Sequence, residues 1–131
     1  MAVKEIEVIL SRQLADCLSI PIFLVDTKGD LIFYNEPAEE ILGKRFEETG
    51  PMPVEVWSTI FKIQDDNGEL IPREELPLYR SLAHQMPAQT TLWLESLNGI
   101  KHHLYVTSLP LIGEANRFLG ALAIFWKKED V

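Results

Sequence analysis

The chain has 131 residues, 47% of them hydrophobic and 24% charged, with a net charge of −8 at neutral pH. That length allows one domain with a sizeable core but not two, and the composition is that of a globular chain rather than a disordered one. The acidic balance argues against nucleic acid and anionic membrane surfaces as partners, because both need a basic face, and no run of 18 apolar residues is present to cross a bilayer.

The first segment, MAVKEIEVIL, mixes acids with hydrophobes and lacks a basic leader with a cleavage site, so we do not read it as a signal peptide. Residues 3 to 18 have the pattern of an amphipathic helix, with Val3, Ile6, Leu10, Leu14 and Cys17 at spacings of three and four. Ile9 and Leu18 widen the stripe. Such a helix either packs back on its own domain or forms a seam with a second subunit; with fewer than three heptads it is too short for a free-standing coiled coil. We therefore divide the chain into a flanking helix over 1–18 and a domain over 19–131. Cys17 is the single cysteine, so an internal disulfide is ruled out and a reducing cytoplasm is the simplest expectation.

The stretch Ile20 to Gly43 carries the densest signal. Ile22, Leu24 and Asp26 alternate with Phe23 and Val25, as a strand requires. Thr27-Lys28-Gly29-Asp30 is a turn, with Gly29 able to take positive φ and Asp26 placed to accept turn N–H groups. Leu31 to Tyr34 is the returning strand. Asn35 ends it, Pro37 suits the first position of a helix, and Gly43 suits its left-handed C-terminal residue. Beyond Lys44 the signals weaken: Pro51 and Pro53 break the chain, and Val54 to Phe61 reads as a short helix.

Asp65 to Gly68 forms a turn, and the main helix is expected from about Arg73 to His84, with Pro77 tolerated in its first turn. Three strands follow, at Gln89 to Ser96, Lys101 to Leu109 and Arg117 to Lys127. Leu97-Asn98-Gly99-Ile100 joins the first two as a hairpin, and Pro110 to Asn116 is a looser connection. Two strands, a helical middle and three strands imply an α+β domain with a five-stranded antiparallel sheet and helices on one face.

Asp26, Gly29, Asn35, Ala38, Glu39, Leu42 and Gly43 resemble the opening of a PAS domain, in which an Asp-x-x-Gly hairpin leads to a strand, an Asn and an Ala-Glu-x-x-Leu-Gly helix. Asp66-Asn67-Gly68 to Pro72 followed by Glu75-Leu76-Pro77-Leu78 resembles the lead into the central helix of bacterial PAS domains. The segments Leu94 to Gly99, Leu104 to Pro110 and Phe118 to Phe125 resemble the three closing strands. The likeness covers residues 18 to 126 and rests on order and spacing more than on any one motif. It implies the strand order 2-1-5-4-3 and a non-catalytic sensory or interaction module in signal transduction. It also implies an internal pocket near Trp57, Phe61, Tyr79 and Trp93, apolar and suited to a small organic ligand. A signalling protein is the partner class that goes with such a module. The chain departs from the family after Phe125-Trp126, where Lys127-Lys128-Glu129-Asp130-Val131 replaces the usual Asp-Ile-Thr lead into an output helix.

The covalent flavin photochemistry of the LOV subclass of PAS domains would require a cysteine in the helical region after the hairpin, within an Asn-Cys-Arg-Phe-Leu-Gln-like motif, and Cys17 lies before the first strand; the covalently held chromophore of the photoactive yellow protein subclass fails for the same reason. The resemblance implies that haem, if held, would take its axial histidine from the central helix, as in haem-binding PAS domains. His84 follows Arg80 by four on the polar face, and a histidine in a last helical turn complements the dipole without any ligand. His102 and His103 are adjacent on a strand, so they point to opposite faces and cannot share a metal; we expect one exposed and one half-buried. Ile63 to Glu74 has Asp65, Asn67, Gly68 and Glu74 at calcium-loop spacing, but Ile63 stands at the first ligand position and Pro72 interrupts the second half. Gly43-Lys44 lacks the rest of a phosphate loop, and the acidic pairs Glu39-Glu40 and Glu74-Glu75 do not face each other. The rival reading is a small α+β enzyme of the ketosteroid isomerase-like type, which needs a carboxylate or histidine inside its pocket. Asp26 and Asp30 are the hairpin's only acids, and the turn explains both.

Leu78, Leu82, Trp93, Leu104, Val106 and Leu122 are expected in the core. The last strand is apolar on both faces, from Phe118 through Trp126, and Phe125 and Trp126 cannot both point inward. Something must cover the outer face, since a large bare apolar patch is unusual on a monomer. A helix over residues 3 to 18 reaches about 24 Å. We therefore expect a homodimer joined through that helix and the outer sheet face.

Overall fold

The computed structural model describes residues 19–128, so the expected helix over residues 3 to 18 and its boundary lie outside the described residues. A hairpin comes first, as the alternation requires: β1 (Ile22–Val25) and β2 (Leu31–Tyr34) pair antiparallel with Leu24 opposite Phe33. The Asp26 Oδ1 accepts from Lys28 N at 2.9 Å and Asp30 N at 3.0 Å, which closes the turn between them. Helix α1 (Glu36–Leu42) is capped by Asn35, whose side chain accepts from Ala38 N, and stops at Gly43 with φ 82°. A β-carbon on Gly43 would lie 3.2 Å from the Asn98 and Leu97 backbone nitrogens, so this position closes against the distant hairpin as well as ending the helix.

The middle of the chain departs from expectation in three ways. Phe46–Thr49 forms a short extra helix, α2, ahead of the expected α3 (Val54–Ile60). Lys62–Gln64 adds a sixth strand, β3, which pairs with the next strand to extend the sheet by one edge. Three residues are too few for a readable alternation, and the pairing is long-range. The single helix expected over Arg73 to His84 is instead a 3-10 turn at Arg73–Glu75 and a helix α4 (Pro77–His84). Pro77 disfavours helical geometry in the residue before it, and Leu76 is extended at φ −68°, ψ 143°.

Strands β4 (Ala88–Glu95), β5 (Lys101–Ile112) and β6 (Phe118–Lys127) complete an antiparallel sheet in the order β2-β1-β6-β5-β4-β3. Apart from the added edge strand this is the order the resemblance implies. Strand β5 runs through Pro110, which was expected to begin a loop. The register between β4 and β5 ends at Ala88 opposite Ser108, so Pro110 lies past the point where β5 needs donors on both sides.

Period two decides what each strand buries. Phe23 and Val25, Leu92 and Leu94, Leu104 and Val106, and Ala121, Ala123 and Phe125 face the helices and are buried. Leu122, expected in that core, instead lies opposite Leu24 on the other face of the sheet and is half-buried. Trp93 is likewise half-buried on the outer face, and Leu82 is half-buried at the side of α4.

Candidate functional site

The helices close over the inner face of the sheet around a cavity of about 40 Å³. Phe23, Leu92, Leu94, Val106, Ala123 and Phe125 form its floor, and Trp57, Phe61, Leu76, Pro77 and Leu78 its walls and roof. Ring contacts stiffen it: Trp57 meets Phe23 edge-on with centroids 5.1 Å apart, and Phe125 meets Phe23 edge-on at 6.4 Å. The Trp57 indole Nε1 donates to Gly29 O at 2.8 Å, which pins α3 to the first turn. Organic ligand pockets span about 300–1,000 Å³. This cavity holds roughly the volume of a single water and offers that water no polar lining.

Of the four aromatics proposed for the pocket, Trp57 and Phe61 are among the residues lining this cavity. Tyr79 does not: it is 40% exposed on the outer side of α4. Trp93 is on the opposite face of the sheet, opposite His103 in register. Aliphatic residues not proposed for the pocket (Leu76, Leu92, Leu94 and Val106) supply much of the wall; the alternation of β4 and β5 was the available signal for the last three, and Leu76 stands in the lead into the central helix.

Haem and flavin do not fit these residues. No histidine, cysteine or charged side chain lines the cavity, and its one polar side-chain atom is the indole nitrogen already bonded to Gly29. His84 is exposed in the last turn of α4, where it complements the helix dipole. Among the described residues no group of His, Cys, Asp and Glu is placed to hold a metal ion. The Asp65 carboxylate is occupied by the turn, accepting from Asn67 N at 2.9 Å and Glu69 N at 3.0 Å.

Polar groups sit around the core's margin rather than in the cavity. Ser81 on α4 and Ser108 on β5 are fully buried, with their hydroxyl oxygens 2.6 Å apart. Ser108 lies 2.7 Å from Pro77 O, and Ser81 lies 2.8 Å from Met86 O. This link ties the central helix to the sheet, and sequence reading missed it because a serine among strand residues carries no motif. The Tyr34 hydroxyl donates to Lys44 O at 2.8 Å. Burial pushes its phenol above the ordinary value, the carboxylates of Glu39 and Glu48 add to the rise, and the hydrogen bond with Thr49 opposes it. His102 faces inward and His103 outward, but each is half-buried, which corrects the expectation that one would be exposed. The His102 Nε2 is buried without a hydrogen-bond partner, and burial first, then the nearby Lys127 charge, push its imidazole below the ordinary value. His103 stacks flat on Trp93 with centroids 4.2 Å apart, and the Asp66 carboxylate approaches its Nε2 to 3.4 Å.

The outer face of the sheet is the second candidate surface. Ile22, Leu24 and Phe33 are buried there, against partly buried Leu111, Leu119, Leu122 and Ile124. The apolar stripe continues across β6 and β5 to Tyr105 and Trp126, which are opposite one another in register and remain 39% and 41% exposed.

A family model described as a PAS domain matches residues 10–80. No curated protein matches the chain in sequence. Solved structures of similar fold include the PAS domain of a protein from Colwellia psychrerythraea, 19% identical, with TM-score 0.65, covering 92% of this chain and 97% of that one. The PAS domain of BvgS from Bordetella pertussis is 15% identical with TM-score 0.61, over 95% of this chain and 87% of that one. The PAS domain of the fruit-fly ELK potassium channel is 10% identical with TM-score 0.64, over 95% and 98%.

Proposed function

The chain belongs to the PAS domain family, and from that premise we propose that it is a non-catalytic sensory and interaction module that passes its signal through the outer face of its sheet. PAS domains are signalling modules, and the similar folds include one from a protein named BvgS and one from a potassium channel. The observation that carries the reading is the apolar outer face ending in exposed Tyr105 and Trp126. Aromatic residues of these types, clustered on an apolar patch, are characteristic anchors of protein interfaces. The occupant we assign to that face is a second copy of the chain together with the segment over residues 3 to 18, whose apolar stripe matches it in character. A non-catalytic role is supported by a cavity lined without any acid, base or nucleophile. The single cysteine supports a reducing, cytoplasmic setting.

Sedimentation equilibrium at micromolar concentration tests this reading. The wild type is expected at twice the 15.0 kDa chain mass, and Tyr105→Glu with Trp126→Glu is expected to return it to 15.0 kDa. A wild type that runs as a clean 15.0 kDa species would refute the dimer and leave the outer face to intramolecular cover.

A further inference from the structure

A groove of about 400 Å³ lies outside the core, between the Thr27–Gly29 turn and helices α3 and α4. Its volume falls in the range of organic ligand sites, about 300–1,000 Å³, which the internal cavity does not reach. Val54, Leu78 and Leu82 contribute its apolar surface. Lys28 and Arg73 line it against the single carboxylate of Glu55, so the groove carries a net positive balance in a chain of net charge −8. Ion pairs among the described residues include Arg45–Glu47, Lys62–Glu95 and His103–Asp66, and neither Lys28 nor Arg73 is held in one.

We propose that this groove binds a small organic anion, a carboxylate with an apolar tail, with the tail on Leu78 and Leu82 and the charge toward Arg73 and Lys28. A guanidinium is suited to a carboxylate because its paired N–H groups match the two oxygens. The assignment deepens the sensory reading by giving it an input site. Trp57, Leu76 and Leu78 line both the groove and the internal cavity, so they form the wall between them. An occupant therefore presses on this wall, in which Trp57 also packs edge-on against Phe23 in β1. The outer face of β1 belongs to the apolar surface assigned to the dimer.

Octanoate and 1-octanol, titrated separately into the methyl-labelled full chain, separate charge recognition from greasiness. The methyl resonances of Val54, Leu78 and Leu82 are expected to shift with octanoate at a concentration at least about tenfold lower than with the alcohol. Arg73→Gln combined with Lys28→Gln changes two exposed side chains and is expected to abolish that preference while leaving the alcohol's weak binding in place. Equal affinity for acid and alcohol, an unaltered preference in the double variant, or shifts confined to Leu122 and Ile124 on the outer sheet face would each overturn the assignment. The dimer assigned to the outer face fails on a different measurement, the oligomeric mass, so the two failures are distinguishable.

Discussion

Asn35 holds Ile22 by its backbone: the side-chain Oδ1 accepts from Ile22 N at 2.9 Å across the hairpin, while Nδ2 donates to Ile20 O at 2.8 Å. The same Oδ1 accepts from Ala38 N at 3.3 Å, so one buried amide joins the start of β1 to the start of α1. Asn35→Ala is expected to cost about 1–3 kcal/mol, because it leaves buried backbone groups unpaired and removes a helix cap. Asn35→Asp is expected to recover only the accepting half, since a carboxylate cannot donate to Ile20 O. Urea unfolding of the three proteins checks the ranking, and equal midpoints would contradict it.

Gly120 is expected to tolerate no side chain. Its φ is +142°, and a β-carbon there would sit 2.2 Å from Val25 O, a backbone atom that cannot rotate away. Backbone strain alone is worth about 1–3 kcal/mol, and the clash with β1 adds to it. Gly120→Ala should therefore show a lowered thermal midpoint together with loss of amide protection in β1. An alanine variant with wild-type stability would show that β1 and β6 approach less closely than the structure describes.

Ser81 and Ser108 have two hydroxyl protons for three short contacts, so only two of those contacts are hydrogen bonds at one time. Pro77 is buried whereas Met86 is exposed, and the carbonyl of an exposed residue can turn to water. The arrangement that serves the buried atoms is Ser81 donating to Ser108 and Ser108 donating to Pro77 O. In a double-mutant cycle with Ser81→Ala and Ser108→Ala, that chain predicts a coupling of at least about 0.5 kcal/mol. Additive losses would assign each hydroxyl to its own carbonyl instead.

The half-buried imidazole of His102, with its Nε2 enclosed, predicts acid sensitivity. Its folded pKa is depressed by burial and by Lys127, so the folded protein resists the proton that the unfolded chain accepts. Stability is therefore unaffected by this group at higher pH, falls as pH drops through about 6.5, and stops falling once the folded imidazole protonates. His102→Gln is expected to flatten that part of the profile. Denaturant unfolding followed against pH measures it, and parallel profiles for the two proteins would reject the assignment.

Local chemistry was enough to read the first hairpin, its Asp26 turn, the Asn35 cap and the Gly43 stop, because each depends on residues within a few positions of one another. It also settled the family and the strand order that goes with it, since the motifs of hairpin, central helix and closing strands recur in one sequence order. It placed Trp57 and Phe61 beside the core as well. Alternation showed that Phe125 and Trp126 must part company, but not which of them turned inward. That choice came from pairing: Ala123 and Phe125 face the helices because β6 lies against β1 with Leu24 opposite Leu122, and this register sends Leu122 and Trp126 outward. Trp93 went to the outer face for the same reason, its side set by the register with His103 rather than by its size. The β3 edge, the Ser81–Ser108 contact and the groove beneath Lys28 and Arg73 join residues 27 to 45 positions apart. No window of sequence contains both members of such a pair, and folding alone brings them within reach.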